Sequence, residues 1–97
     1  MTPVDVRCEA AGDGWRCIAT VGTGSAATRH DVTVAGDDAV RLAAARGAAD
    51  VERLVVETFD FLLEREPASA ILRTFDLSVV GSYFPEFETE MASRLAP

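Results

Sequence analysis

The chain has 97 residues, 48% of them apolar, and a formal net charge of −7; that is enough for one domain burying roughly 60–65% of its unfolded surface, and the apolar share excludes a disordered chain. Sixteen acids against nine basic residues repel nucleic-acid phosphates and anionic membrane surfaces, leaving a protein partner or self-association as the expected company. Lysine, asparagine and glutamine are absent, which removes Schiff-base lysines and side-chain amide donors from any mechanism.

Val4, Val6, Cys8 and Ala10 alternate with Asp5, Arg7 and Glu9, the period-two pattern of a half-buried strand. Ala11-Gly12-Asp13-Gly14 reads as a hairpin turn, because Gly and Asp tolerate the positive φ of tight hairpins. The second strand carries Trp15, Cys17, Ala19 and Val21 on one face and Arg16, Ile18 and Thr20 on the other. A two-residue Gly12-Asp13 turn sets Cys8 opposite Cys17, Ala10 opposite Trp15 and Glu9 opposite Arg16, matching apolar with apolar and acid with base. A turn centred on Asp13-Gly14 keeps the same faces in a shifted register.

Gly22 to Ala27 is a flexible loop. It resembles a phosphate loop only superficially, since the Gly-Lys-Ser/Thr ending is missing. The third strand, Thr28 to Ala35, turns Thr28, His30, Val32 and Val34 to the apolar side and Arg29, Asp31 and Thr33 away. Residues 1–36 thus form a three-stranded antiparallel meander.

Residues 37–97 switch to helical spacing and hold six of the seven aromatics. Asp37 is the expected N-cap of a short Ala-rich helix over 38–46 that ends at Gly47. Asp50 is expected to cap a long helix over 51–65 with the stripe Val51, Leu54, Val55, Phe59, Leu62 and Leu63. Pro67 stops it. Ala68, Ile71, Leu72 and Phe75 have helical spacing, Asp76 looks like another cap before Leu77, Val80 and Phe84, and Pro85 opens a last segment with Phe87, Met91 and Leu95. The whole is read as a single α+β domain, 1–97: a three-stranded meander with one long and several short helices packed on one sheet face.

Little conspicuous chemistry remains. Cys8, Cys17 and His30 share one predicted sheet face. The expectation is that they belong to the core; a reversible cross-strand disulfide and a metal site are the alternatives, the latter lacking a fourth ligand. A Cys17–His30 nucleophile pair is disfavoured, because apolar surroundings raise a thiol's pKa. Glu57, Asp60 and Glu64 line one side of the long helix, but without the Glu-x-x-His pairs of di-metal helices they read as a solvated acidic face. No catalytic residue and no cofactor is assigned.

Thr28-Arg29-His30-Asp31-Val32-Thr33-Val34, Thr58 to Pro67 with its Phe61-Leu62-Leu63-Glu64-Arg65-Glu66-Pro67 end, Ile71 to Leu77, and Tyr83-Phe84-Pro85-Glu86 together resemble a group of small bacterial proteins. These share a T-x-H-x-V-x-V strand and an F-L-L-E-R-E-P helix end. The resemblance spans residues 28–88 and implies no activity.

The expectation is a cytoplasmic, non-enzymatic interaction or regulatory module, acting as a homodimer or an accessory subunit. Arg7, Arg16 and Arg29 on the outer sheet face would contact the partner. Arg65 and Arg73 form a further candidate patch for a carboxylate or phosphate. Two free sheet edges would also invite partners. The alternative is a metal- or redox-responsive protein using Cys8, Cys17 and His30. A secretory leader and a membrane span are not expected from the sequence.

Overall fold

A computed structural model describes residues 2–96. Strands β1 (Val4–Ala11) and β2 (Gly14–Val21) form the expected hairpin, and β3 (Thr28–Val34) continues the antiparallel order. The register pairs Cys8 with Cys17, Glu9 with Arg16 and Ala10 with Trp15. Of the two turn placements, the Gly12-Asp13 turn is the one formed. Gly12 has φ 59°, while Asp13 keeps an ordinary negative φ, the sign pattern of a II′ turn with glycine at its first central position.

The three-stranded meander needs correction. Thr74–Asp76 forms a fourth strand, β4, parallel to β3, so the sheet is mixed with order β1-β2-β3-β4. Parallel neighbours need a long crossover, here supplied by helices α1 (Gly36–Ala43) and α2 (Ala48–Leu63). The helix expected around 68–75 is instead a short 3-10 turn, Ala68–Ala70, and then extended chain. Ile71 and Phe75 are both buried. Residues four apart share a face of a helix and of a strand alike, so that pair could not choose between them. Leu72 settles the matter, being 52% exposed. Helices α3 (Ser78–Tyr83) and α4 (Phe87–Arg94) follow.

Helix starts also differ from expectation. Asp37 lies inside the first turn of α1, whose N-cap is Ala35. Asp50 lies in the first turn of α2, whose N-cap is Gly47, and its carboxylate accepts the Arg46 N–H at 2.8 Å. Carboxylates in a first turn meet free N–H groups and the positive end of the helix dipole, so the same residue type suits positions one to three residues apart. The first helix ends not at Gly47 but at Ala44, which takes a left-handed conformation with φ 50°.

Helices cover one sheet face. Val6, Cys17, Ala19, Val21, Val32 and Val34 are buried on it beneath Val51, Leu54, Val55 and Phe59 of α2. Phe61 and Thr58, outside the expected stripe, are also fully buried. Phe61 faces away from the stripe toward the C-terminal segment, edge-on to Phe84 and Phe87 at centroid distances of 5.7 and 5.3 Å. Such pairs add about 0.5–1.5 kcal/mol beyond their buried area. The sheet edges are less open than expected. β4 pairs along part of β3, and on the opposite edge Glu52 of α2 accepts the Cys8 N–H at 2.8 Å.

Candidate functional site

The conspicuous sheet-face residues are tied into the fold. Cys8 and Cys17 are joined by a disulfide, correcting the expectation of two free core thiols. Cys17 is fully buried and Cys8 half-buried. In this state neither sulfur is a thiolate able to ligate metal or attack carbon. His30 is fully buried. Its Nδ1 donates to the Leu72 carbonyl at 2.7 Å, and its Nε2 accepts from the Thr28 hydroxyl at 2.9 Å. A carbonyl can only accept, so this bond fixes the tautomer. The T-x-H pattern is therefore a hydrogen-bonded pair that clamps the chain ahead of β4 onto β3. Among the described residues no group of three or more His, Cys, Asp or Glu side chains is placed to hold a metal ion.

Helix α2 ends in a polar knot. Nη2 of Arg94 donates to both carboxylate oxygens of Glu64, at 2.7 and 2.8 Å. The Arg94 hydrogen bonds hold the Glu64 carboxyl below the usual carboxylate range. Asp60 is pushed up, first by burial and then by the neighbouring Glu64 charge, against the pull of Arg94. Arg65 lays its guanidinium 3.6 Å from the centroid of the Phe61 ring, donates to the Phe61 carbonyl at 3.0 Å, and lies 3.6 Å from Glu86. Arg73 is exposed, and its carbonyl accepts the Asp31 N–H at 2.7 Å. Among the described residues Arg65 and Arg73 share no hydrogen-bonding or ion-pair partner, and Arg65 is engaged by Phe61, Glu64 and Glu86 of its own fold.

Arg7, Arg16 and Arg29 do share the uncovered face. Pairing sets Arg7 beside Ile18, Arg16 between Glu9 and Thr33, and Arg29 beside Thr20. Arg29 lies 3.9 Å from Asp31, whereas no ion pair among the described residues engages Arg7 or Arg16. Ile18, 37% exposed, sits at the centre of this face.

A surface the sequence reading missed lies on the helical side. The end of α2, the turn after Pro67, β4 and α3 enclose a groove of about 440 Å³ with Leu62, Ile71, Leu72, Phe75, Val79, Val80, Tyr83 and Phe84 in its walls. Apart from backbone, its polar groups are the Glu66 carboxylate and the Tyr83 phenol. Leu72 (52% exposed) and Tyr83 (71% exposed) stand open to solvent. Three of the four motif segments converge here: the end of F-L-L-E-R-E-P, Ile71 to Leu77, and Tyr83-Phe84. Apolar spacing reads Leu72 as core and leaves Tyr83 out of the stripes, so a hydrophobic rim leaves no separate mark in the sequence.

A second, polar hollow of about 300 Å³ lies between α1, α3 and α4. Arg41 in its wall is clasped by Asp38 and Glu88, whose hydrogen bonds raise its pKa. Among the described residues no helix is long and apolar enough to cross a membrane. No family model, curated protein or solved structure matches the chain.

Proposed function

We propose that the chain is a non-enzymatic protein-interaction module, working as an accessory subunit or homodimer, and that its apolar groove receives an anchor segment from a basic partner. The carrying observation is the half-open groove with Leu72 and Tyr83 exposed at its mouth. Exposed aromatic and aliphatic side chains around a concave apolar wall are the usual anatomy of an anchor pocket. Glu66 in its wall forms no ion pair among the described residues, and residues 49–97 carry ten acids against four arginines. A helix or extended segment with an apolar anchor beside Lys or Arg complements both features.

The test uses two labelled amphipathic peptides with the same Leu and Phe anchors, one flanked by Lys and one by Glu, read by fluorescence anisotropy. The Lys peptide should bind and the Glu peptide should not. Leu72→Asp and Tyr83→Ala should each weaken binding at least about tenfold, or about 1.4 kcal/mol, and Glu66→Gln should erase the charge preference. Equal binding of both peptides, or binding indifferent to Leu72→Asp, would sink the reading.

The disulfide favours a second reading, that of a redox-responsive protein. A dithiol reductant delivering two electrons and two protons would convert the Cys8–Cys17 bond into two thiols on directly paired residues. Metal binding would then draw on these two sulfurs, with His30 held in its two hydrogen bonds. A native mass unchanged by reductant apart from two protons, with no shift in peptide or zinc affinity, would remove it.

A further inference from the structure

The outer sheet face carries a charge order that fits itself. Across β1, β2 and β3 the register sets Asp5, Thr20 and Arg29 in one row and Arg7, Ile18 and Asp31 in the next. In both rows the charges flanking β2 are opposite, and the sign reverses from one row to the next. A twofold axis running along β2, above the sheet, exchanges β1 of one copy with β3 of the other. It lays Asp5 over Arg29 of the second copy, Arg7 over Asp31, and Ile18 over Ile18.

We propose that this uncovered face docks a second copy of the chain, face to face, about that axis. The face carries one net negative charge, with Asp5, Glu9, Asp31 and Asp76 against Arg7, Arg16 and Arg29, so neither a polyanion nor a polycation is strongly favoured on it. Its own reversed order is. Isologous contacts about a twofold axis are the commonest way for identical chains to associate. Aligned sheets pack about 10 Å apart with strands within about 30° of each other, which arginine and carboxylate side chains from both copies can span. Each complementary pair occurs twice.

The third row departs from the pattern. Arg16 meets its own copy, and Asp76 of β4 is already held by Thr33 and Ser78. Arg16 therefore opposes the association that Arg7 supports. Three strands at ~4.8 Å spacing give a small, wet contact of the weak class, below about 1,200 Å² in total. Its affinity falls in the micromolar range.

Sedimentation equilibrium on the whole chain, over micromolar to submillimolar concentrations, tests the proposal, with circular dichroism confirming that each variant is folded. Wild type should dimerise reversibly. Arg7→Asp and Asp31→Arg should each weaken the dimer at least about tenfold, and the double swap should recover most of that loss. Arg16→Ala should tighten the dimer while Arg7→Ala loosens it, because only the proposed axis gives these two arginines opposite roles. Ile18→Cys should be crosslinked to a second copy by a short bismaleimide, which can span the ~10 Å between aligned sheets, whereas Ser69→Cys, on the helical side, should not. A wild type monomeric at all concentrations, a double swap no better than the single variants, or Arg16→Ala behaving like Arg7→Ala overturns it. Tyr83→Ala should leave the dimer unchanged, so failure here is separable from failure of the groove reading.

Discussion

The Thr28 hydroxyl lies 2.9 Å from Nε2 of His30, whose other ring nitrogen donates to the Leu72 carbonyl. Two residues of β3 thus decide where the chain enters β4, forty residues later. With His30 fully buried and 5.2 Å from the Phe59 ring centroid, an unsatisfied nitrogen there has no water to turn to. Thr28→Val is expected to cost about 1–2 kcal/mol of unfolding free energy. His30→Ala, which also opens a cavity under Phe59, should cost about 3 kcal/mol or more. Urea unfolding measures both. A Thr28→Val loss within about 0.3 kcal/mol of zero contradicts the Thr28–His30 hydrogen bond.

Ala44 ends α1 at φ 50°. The left-handed region costs an L-residue roughly 1–2 kcal/mol, chiefly through its Cβ, and glycine is the usual occupant of this position. Ala44→Gly should therefore stabilise the protein by about 1 kcal/mol, raising Tm in a calorimetric scan. Gly36→Ala should do the reverse, because a methyl there would overlap the Asp13 carbonyl oxygen of the hairpin turn.

Parts of this architecture were legible because one period fitted them and no other. The β1–β2 register follows from alternation plus a two-residue turn, and the α2 stripe from spacing over four turns. β4 was not legible, since Ile71 and Phe75 satisfy both periods. Its existence depends on hydrogen bonds from distant residues: the Asp31 N–H to the Arg73 carbonyl, and the Leu77 N–H to Thr33. Asp76, expected as a cap, is instead the last residue of β4, one before the N-cap Leu77 of α3, although its carboxylate accepts the Ser78 N–H and hydroxyl. The groove was hidden for a different reason. Hydrophobicity predicts burial, and Leu72 and Tyr83 are apolar or aromatic residues that the fold leaves outside. Paired cysteines on an apolar face are equally good core residues and equally good disulfide partners.

Two carboxylates give opposite pH responses. Burial raises the Asp76 carboxyl, but hydrogen bonds from the Ser78 hydroxyl, the Thr33 hydroxyl and the Ser78 N–H together outweigh it and leave its pKa lowered. Its stabilisation is therefore complete above the unfolded value, about 3.9, and is lost as pH falls through the lower folded value. Asp60 is raised, first by burial, so its charge is a liability at neutral pH that vanishes on acidification. Asp60→Asn should raise Tm at pH 7 and leave it unchanged near pH 3. Asp76→Asn should lower Tm at pH 7, with the difference shrinking toward pH 2. Parallel melting curves of both variants decide this; a lower Tm for Asp60→Asn at pH 7 contradicts the assigned sign.

Arg65 and Tyr83 should separate stability from binding. The Arg65 side chain is 25% exposed, stacked on Phe61 and bonded to its carbonyl. Lysine has no planar group to stack and no fork of donors. Arg65→Lys should lower stability by about 1 kcal/mol, with the Lys-peptide affinity unchanged. Tyr83→Ala should do the converse, since a side chain 71% exposed contributes little to the core. Loss of peptide affinity in Arg65→Lys at unchanged Tm would return Arg65 to the recognition role first read from the sequence.

The Cys8–Cys17 bond closes a loop of nine residues' separation around a turn. In the chain-entropy account a loop of about ten residues restricts the unfolded ensemble by roughly 2–3 kcal/mol. The hairpin already holds the two strands in register, so the folded state needs the bond less than the unfolded state is hindered by it. Reduction should therefore lower Tm without changing the far-ultraviolet spectrum below the transition. Paired Cys8→Ala and Cys17→Ala substitutions should lose a similar amount and become insensitive to reductant. Alkylation of unreduced, denatured protein gives the matching chemical result: no iodoacetamide is taken up before reduction and two equivalents after it. Uptake of two equivalents without reductant would show both thiols free, and the hairpin would then be held by strand pairing, the Glu52 contact and packing beneath α2.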